Sequence, residues 1–277
     1  MKTITTSILL LTSLTHLSAK TDTWPVYAFQ NGVHFKTAQE RVKVLKELGY
    51  DGIGSAKLSQ SDLPLPQRLK LYDESGLKLF SFYVGGRLGP KGHTYGKEIS
   101  QAIKDLNGRE TILELYVQGN KKTNTDEQAV AFVREIADQA RESGLRIVLY
   151  PHAGFYIDTL GSAVRVARKC ERKNVGVMFN LCHYLKVEPK TNLKDALTEA
   201  KPLLWQVSTC GAEKGGNSWG QLIQTLDRGS YDQKALFQML RELGFKGNVG
   251  FQCYAIRGDS RENLKRSIEA WNKLHSK

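Results

Sequence analysis

Two hydrophobic rhythms alternate along this chain. Short runs of β-branched, aliphatic and aromatic residues read as buried strands. Each is followed by a stretch whose apolar positions recur at helical spacing. The pattern is plainest from Arg146 to Tyr184. Arg146–Tyr150 is an apolar run; Pro151 ends it, because proline cannot donate to a central ladder, and His152 opens a polar loop. In Thr159–Lys173, Leu160, Ala163, Val164, Val166 and Ala167 share a helical face among Arg and Lys. Val175–Phe179 is a second buried run, leading into a polar loop with Asn180, Cys182 and His183. Both runs deliver polar side chains at their C-terminal ends, which is the ligand-binding edge of parallel α/β proteins.

The same alternation covers the rest of the chain. Trp24–Asn31 predicts the first strand, and Thr37 with Glu40 predicts a capping box for a helix over Ala38–Leu48 that Gly49 stops. Gly52–Ser55 predicts a strand, Leu63–Pro66 starts a helix to Ser75, and Lys78–Val84 is the third strand, followed by a glycine-rich loop over Gly85–Gly96. Glu98–Leu106 is a helix. In the fourth strand, Thr111–Gln118, Leu113, Leu115 and Val117 should face outer helices, with Glu114, Tyr116 and Gln118 on the inner side. Further helices are predicted over Asp126–Ser143, Leu193–Ala200 and Asp232–Leu243, and a last one capped by Ser260. Leu203–Thr209 and Asn248–Tyr254 are the seventh and eighth strands. Eight strand–helix units, with no GxGxxG turn after the first strand, predict an α/β fold of the (β/α)8 TIM-barrel type rather than a doubly wound sheet.

Length agrees with that reading. Lys2, the apolar stretch Ile4–Leu17 and small Ser18 and Ala19 have the form of a signal peptide over residues 1–19. The chain is therefore expected to be exported, to a periplasmic or extracellular place, with no transmembrane segment. Residues 20–277 remain as one barrel domain, close to the roughly 250 residues such a barrel takes. The formal charge of +12 lies mainly on predicted helix faces, such as Arg165, Arg168, Lys169, Arg172 and Lys173. It reads as solvated helix surface rather than as a nucleic-acid site. Four cysteines in an exported chain permit disulfides, but Cys170 falls in a helix and Cys182, Cys210 and Cys253 at strand ends. Only Cys182 and Cys210 could be neighbours, and buried free thiols are expected.

The motifs YPHAG (150–154), FNLCH (179–183), LDRGSYD (226–232) and GFQCYAI (250–256), in this order and spacing, resemble the xylose-isomerase-like superfamily of sugar isomerases and epimerases. The resemblance implies a divalent metal held by Glu, Asp, His and Glu at the ends of the fifth to eighth strands. By motif those positions are Tyr150, Asn180, Gln206 and Gln252, none of the ligand type. The Asp-x-x-His of the sixth strand is present as Asn180 and His183. Carboxylates offset a hard cation's charge, and amides and a phenol do not, so no metal or other cofactor is expected.

An amide-rich rim of Gln118, Tyr150, Asn180, Gln206 and Gln252, with Trp219 in the long loop after the seventh strand, suits a polyhydroxylated small-molecule carbohydrate. Glu114, His152 and His183 are the candidate catalytic residues, since they can move protons near neutral pH. The expectation is an exported isomerase, epimerase or carbon–oxygen lyase acting next to a sugar carbonyl. Two alternatives stay open: a catalytically silent barrel that binds a sugar or a partner, and a 3-keto-glycoside lyase using a metal on Glu114, His152 and His183. The abasic-site DNA endonucleases of the same superfamily use a rich metal cluster, which these residues do not supply.

Overall fold

The structure, a computed structural model, describes residues 24–56 and 62–276. The signal-peptide expectation for residues 1–19 lies outside them. Among the described residues nine strands form one sheet: β1 (Val26–Ala28), β2 (Gly52–Ala56), β3 (Lys78–Gly89), β4 (Gly92–Tyr95), β5 (Ile112–Gln118), β6 (Arg146–Leu149), β7 (Val175–Asn180), β8 (Leu204–Thr209) and β9 (Asn248–Phe251). All but β4 run parallel, and β1 pairs with both β2 and β9, with Val26 opposite Val249 and Tyr27 opposite Gly52. The sheet is therefore closed, which makes the fold a (β/α)8 TIM barrel in a single domain.

The described residues also form helices α1 (Ala38–Leu48), α2 (Leu65–Ser75), α3 (Glu98–Asp105), α4 (Asp126–Glu142), α5 (Leu160–Cys170), α6 (Leu181–Val187), α7 (Leu193–Ala200), α8 (Trp219–Leu222), α9 (Gln233–Glu242) and α10 (Ser260–His275). None of the described helices is long and apolar enough to cross a membrane. Alternation along the strands divides the apolar side chains into two bodies. Leu113, Leu115 and Val117 of β5 join the large cluster between sheet and helices. Ile112 and Tyr116 join a smaller one inside the barrel with Tyr27, Phe29, Val148, Tyr150 and Met178.

Three local expectations are corrected. The glycine-rich segment after the third strand is not a loop: β3 continues to Gly89 and β4 folds back on it, Gly86 opposite Tyr95. Glycine there serves close approach. A Cβ at Gly85 would lie 2.3 Å from the Tyr116 carbonyl oxygen, so only glycine lets β3 run this close to β5. The polar stretch after β7 is the short helix α6, whose first four residues, Leu181, Cys182, His183 and Tyr184, are all buried. Asp259, not Ser260, caps α10, its carboxylate accepting the Glu262 N–H at 2.9 Å. At α1 the Thr37 hydroxyl accepts the Glu40 N–H as expected, while the Glu40 carboxylate takes the Lys36 N–H, one residue outside the box.

Candidate active site

A cavity of about 420 Å³ opens at the C-terminal mouth of the barrel. β6 ends at Leu149, so Tyr150 is carried into the mouth and Pro151 turns the chain to bring His152 beside it. β7 ends at Asn180, and α6 starting there returns His183 over the barrel. Gln252 directly follows β9, and α8 supplies Trp219. The imidazoles of His152 and His183 are 4.2 Å apart between centroids, and Trp219 meets His183 edge-on at 5.3 Å. Phe155 stacks on His152 at 3.9 Å and holds its plane.

The hydrogen bonds fix where the protons are. Gln252 Oε1 accepts the backbone N–H groups of Cys253 and Tyr254, at 3.1 and 3.2 Å, and the Asn31 amide. Its Nε2 must therefore face Tyr150, and it donates to that hydroxyl at 3.1 Å. Asn180 Oδ1 accepts the Cys182 thiol at 3.1 Å, and its Nδ2 donates to the same Tyr150 oxygen at 2.6 Å. Two donors occupy both lone pairs of the phenol oxygen, so the Tyr150 proton is left to give to a guest in the cavity. Burial, and next the neighbouring Tyr83, push the Tyr150 pKa well above the ordinary tyrosine range, which keeps that proton in place.

The two histidines are set in opposite tautomers by the backbone of one residue. His152 Nδ1 lies 2.9 Å from the Ala153 carbonyl oxygen, so Nδ1 carries the proton and Nε2 has a free lone pair. His183 Nδ1 accepts the Ala153 N–H at 3.2 Å, so the proton of the neutral ring is on Nε2. Burial lowers the pKa of His152, and burial together with the adjacent His152 pushes that of His183 down to about 3. Both rings are neutral near pH 7: one is a base at Nε2, the other a donor at Nε2.

The other residues singled out from sequence are placed elsewhere. Glu114 is fully buried inside the barrel below the mouth, accepting the Tyr27 hydroxyl at 2.8 Å, and burial raises its pKa to about 7. It does not join His152 and His183, so the metal trio Glu114, His152 and His183 does not form. Among the described residues no three His, Cys, Asp or Glu side chains come together as a metal site. Gln206 points inward two residues too deep, donating to Asn248 at 2.9 Å at the barrel's base. The β8 residue level with Asn180 is Ser208, buried and with a hydroxyl that makes no hydrogen bond among the described residues. Gln118 lines a separate cleft with Asn120 and Phe155. Sequence reading left out Ser208, and also Tyr83 and Tyr254, which line the mouth. Tyr254 is the one large hydrophobic side chain found exposed among the described residues, at 56%. That exposure beside a strand end was the signal to look for, but it needs the fold to be seen.

Tyr150, Asn180 and Gln252 do not fit a divalent metal. Their amide oxygens are turned away, onto a thiol and backbone N–H groups, and their N–H groups converge where a cation would need lone pairs.

The sequence profile described as the xylose isomerase-like TIM barrel matches residues 42–274. Similar solved structures include the 3-keto-D-glucoside 4-epimerase YcjR from E. coli in its apo form, at 20% identity and TM-score 0.69, covering 91% of this chain and 99% of that one. The D-allulose 3-epimerase from Methylomonas sp. in complex with D-allulose is similar at 14% identity and TM-score 0.70, covering 90% and 96%. The IOLI protein with a bound zinc atom is similar at 14% identity and TM-score 0.71, covering 90% and 97%. No curated protein matches the sequence.

Proposed function

The chain belongs to the xylose isomerase-like TIM-barrel family, and from that premise we propose that it is a carbohydrate-modifying enzyme that moves a proton on the carbon beside a sugar ketone. The observation that carries the reading is the pair of oppositely set groups at the mouth: a free lone pair on His152 Nε2 facing the same cavity as the surplus proton of Tyr150. Fold relatives whose names include keto-sugar epimerases support the substrate class.

In this reading His152 Nε2 takes the proton from the carbon next to the ketone. The C–H electron pair becomes the new carbon–carbon double bond, and the carbonyl π pair moves onto oxygen. Tyr150 O–H and His183 Nε2–H donate to that oxygen, where charge develops, in a site built of neutral dipoles. Delivery of a proton from solvent to the opposite face, while His152 releases to solvent the one it took, inverts the centre. Departure of a leaving group from the next carbon, with the proton passed to it, completes an elimination instead. The reaction proceeds without the metal of the family, and we place the protein outside the cytoplasm on the form of residues 1–19.

The test is proton NMR of a 3-keto-glucoside incubated with the protein in D₂O. Deuterium should enter the carbon beside the ketone, with H152A slowing exchange by about 10²–10⁴-fold and Y150F by about 10²–10³-fold. Exchange that is equal in wild type and H152A would sink the assignment of the base. A second reading, a barrel that binds a sugar without turnover, is favoured by the absence of any carboxylate from the described lining of the mouth. It predicts binding of the keto-sugar with no exchange at all.

A further inference from the structure

A second cleft, of about 320 Å³, shares with the mouth the loop that carries His152. It too opens at the C-terminal face, because its walls are the end of β3, the loop after β5 and the loop after β6. A tight turn divides the two spaces. The Phe155 N–H donates to the His152 carbonyl at 3.0 Å, and Gly154 takes the positive φ of 84° that such a turn requires. The turn lays the Phe155 ring on the His152 ring, 3.9 Å away and 16° from parallel. His152 lines the mouth and Phe155 lines the cleft, so these stacked rings are the ridge between them. A second line of rings joins the two spaces: Tyr83 of the mouth meets Tyr116 at 4.8 Å, and Tyr116 meets Phe155 at 5.6 Å.

The walls of the cleft are fixed by their own hydrogen bonds. Asn124 and Gln128 both donate to the Gly89 carbonyl, at 3.5 and 3.0 Å, tying the end of β3 to the loop after β5 and to α4. Asn124 Oδ1 also accepts the Asn120 N–H at 2.9 Å. Inside that frame two polar side chains are free. Arg87 of β3 and Gln118 of β5 are register partners and both line the cleft. Neither side chain makes a hydrogen bond or an ion pair among the described residues. No Asp or Glu is among the described lining residues.

An aromatic ring beside free amide and guanidinium groups is the set that meets a sugar: the ring takes its C–H face, and the side chains exchange hydrogen bonds with its hydroxyls. An inorganic anion would engage Arg87 alone, which is exposed and screened by water, and would leave the ring and the Gln118 carbonyl unused. We propose that this cleft is a second sugar subsite, and that the ligand of the barrel is a glycoside of at least two sugar units, one in the mouth and one in the cleft. The proposal rests on the reading of the mouth as a sugar site. His152 stands on the ridge between the two units, which places the linkage of the glycoside beside the base.

Isothermal titration of the full chain with methyl glucoside, sucrose, trehalose, maltose and cellobiose tests it. At least one disaccharide should bind about ten-fold or more tighter than methyl glucoside. R87A should reduce that margin several-fold and leave the affinity for methyl glucoside unchanged. Q118A should reduce the margin as well. T123W, which adds bulk at an exposed position of the cleft wall, should abolish it. Disaccharides that bind no tighter than methyl glucoside overturn the subsite and leave the mouth as a sugar site. A margin that neither R87A nor T123W reduces overturns it too. No binding by methyl glucoside or by any of the disaccharides overturns the reading of the mouth, and the subsite with it. Sulfate binding that R87A removes, with no disaccharide margin, assigns an anion site and overturns the sugar subsite. Should Q118A not fold, R87A and T123W decide, since both change exposed side chains.

Discussion

At the scale of the residue, His152 and Glu114 lead to opposite pH behaviour. His152 acts as a base only when neutral, and burial lowers its pKa below the ordinary 6.5. The exchange rate should therefore fall with acid through an apparent pKa below 6.5 and be flat above it. His183, held down near 3, adds no second limb in that range. A pH–rate profile of exchange checks this, and a limb rising above pH 7 would contradict it. Glu114 acts on stability. Its carboxyl keeps a proton up to about 7 when folded but releases it near 4.5 when unfolded, so the folded state binds more protons in that window. Stability from this group falls as pH rises from 4.5 to 7. E114Q keeps an acceptor for Tyr27 and cannot ionise. Its stability relative to wild type, read from denaturant titrations, should be near zero below pH 4.5 and grow to about 3 kcal/mol above pH 7.

At the scale of the element, the strand–helix order was readable because apolar period and helix stops agree at each unit. What was not readable is depth along a strand. Gln206 and Ser208 sit two apart in β8 and face the same way, so alternation treats them alike; only pairing with β7 shows that Ser208 is level with Asn180. The same limit hid the place of Glu114, whose inward direction was legible but whose level below the mouth was not. The β3–β4 hairpin was missed for another reason: glycine density is a turn signal in sequence, whereas here glycine makes room for a neighbour. G85A should consequently cost about 1–3 kcal/mol by overpacking against Tyr116, seen as a lower melting temperature, although it raises intrinsic chain stiffness. A G85A protein as stable as wild type would show that β3 can move away from β5 there.

At the scale of the whole molecule, closure depends on the base of the barrel as much as on the mouth. Trp24, just before β1, donates its indole N–H to the Phe245 carbonyl at 2.8 Å and packs with Phe237, Phe245 and Trp271. Trp271 is 3% exposed and ties α10 to the closing strand through Phe251. W271A should cost about 3–5 kcal/mol and do so without altering exchange by the fraction that stays folded. The four cysteines are buried and free, and Cys182 and Cys210 share one small cluster beside α8. Thiol titration should give four reactive groups after denaturation and few before it. Two after denaturation would report a bond between that pair.

The two backbone groups of Ala153 have one more consequence. When His152 takes up a proton, the positive ring still donates to the Ala153 carbonyl, and no carboxylate is needed to hold it. The counter-ion is a peptide dipole, with no pKa of its own and no side chain to lose. Any residue but proline that keeps the turn can stand at position 153, so the orientation of both imidazoles is protected against most substitutions at the very residue that sets it.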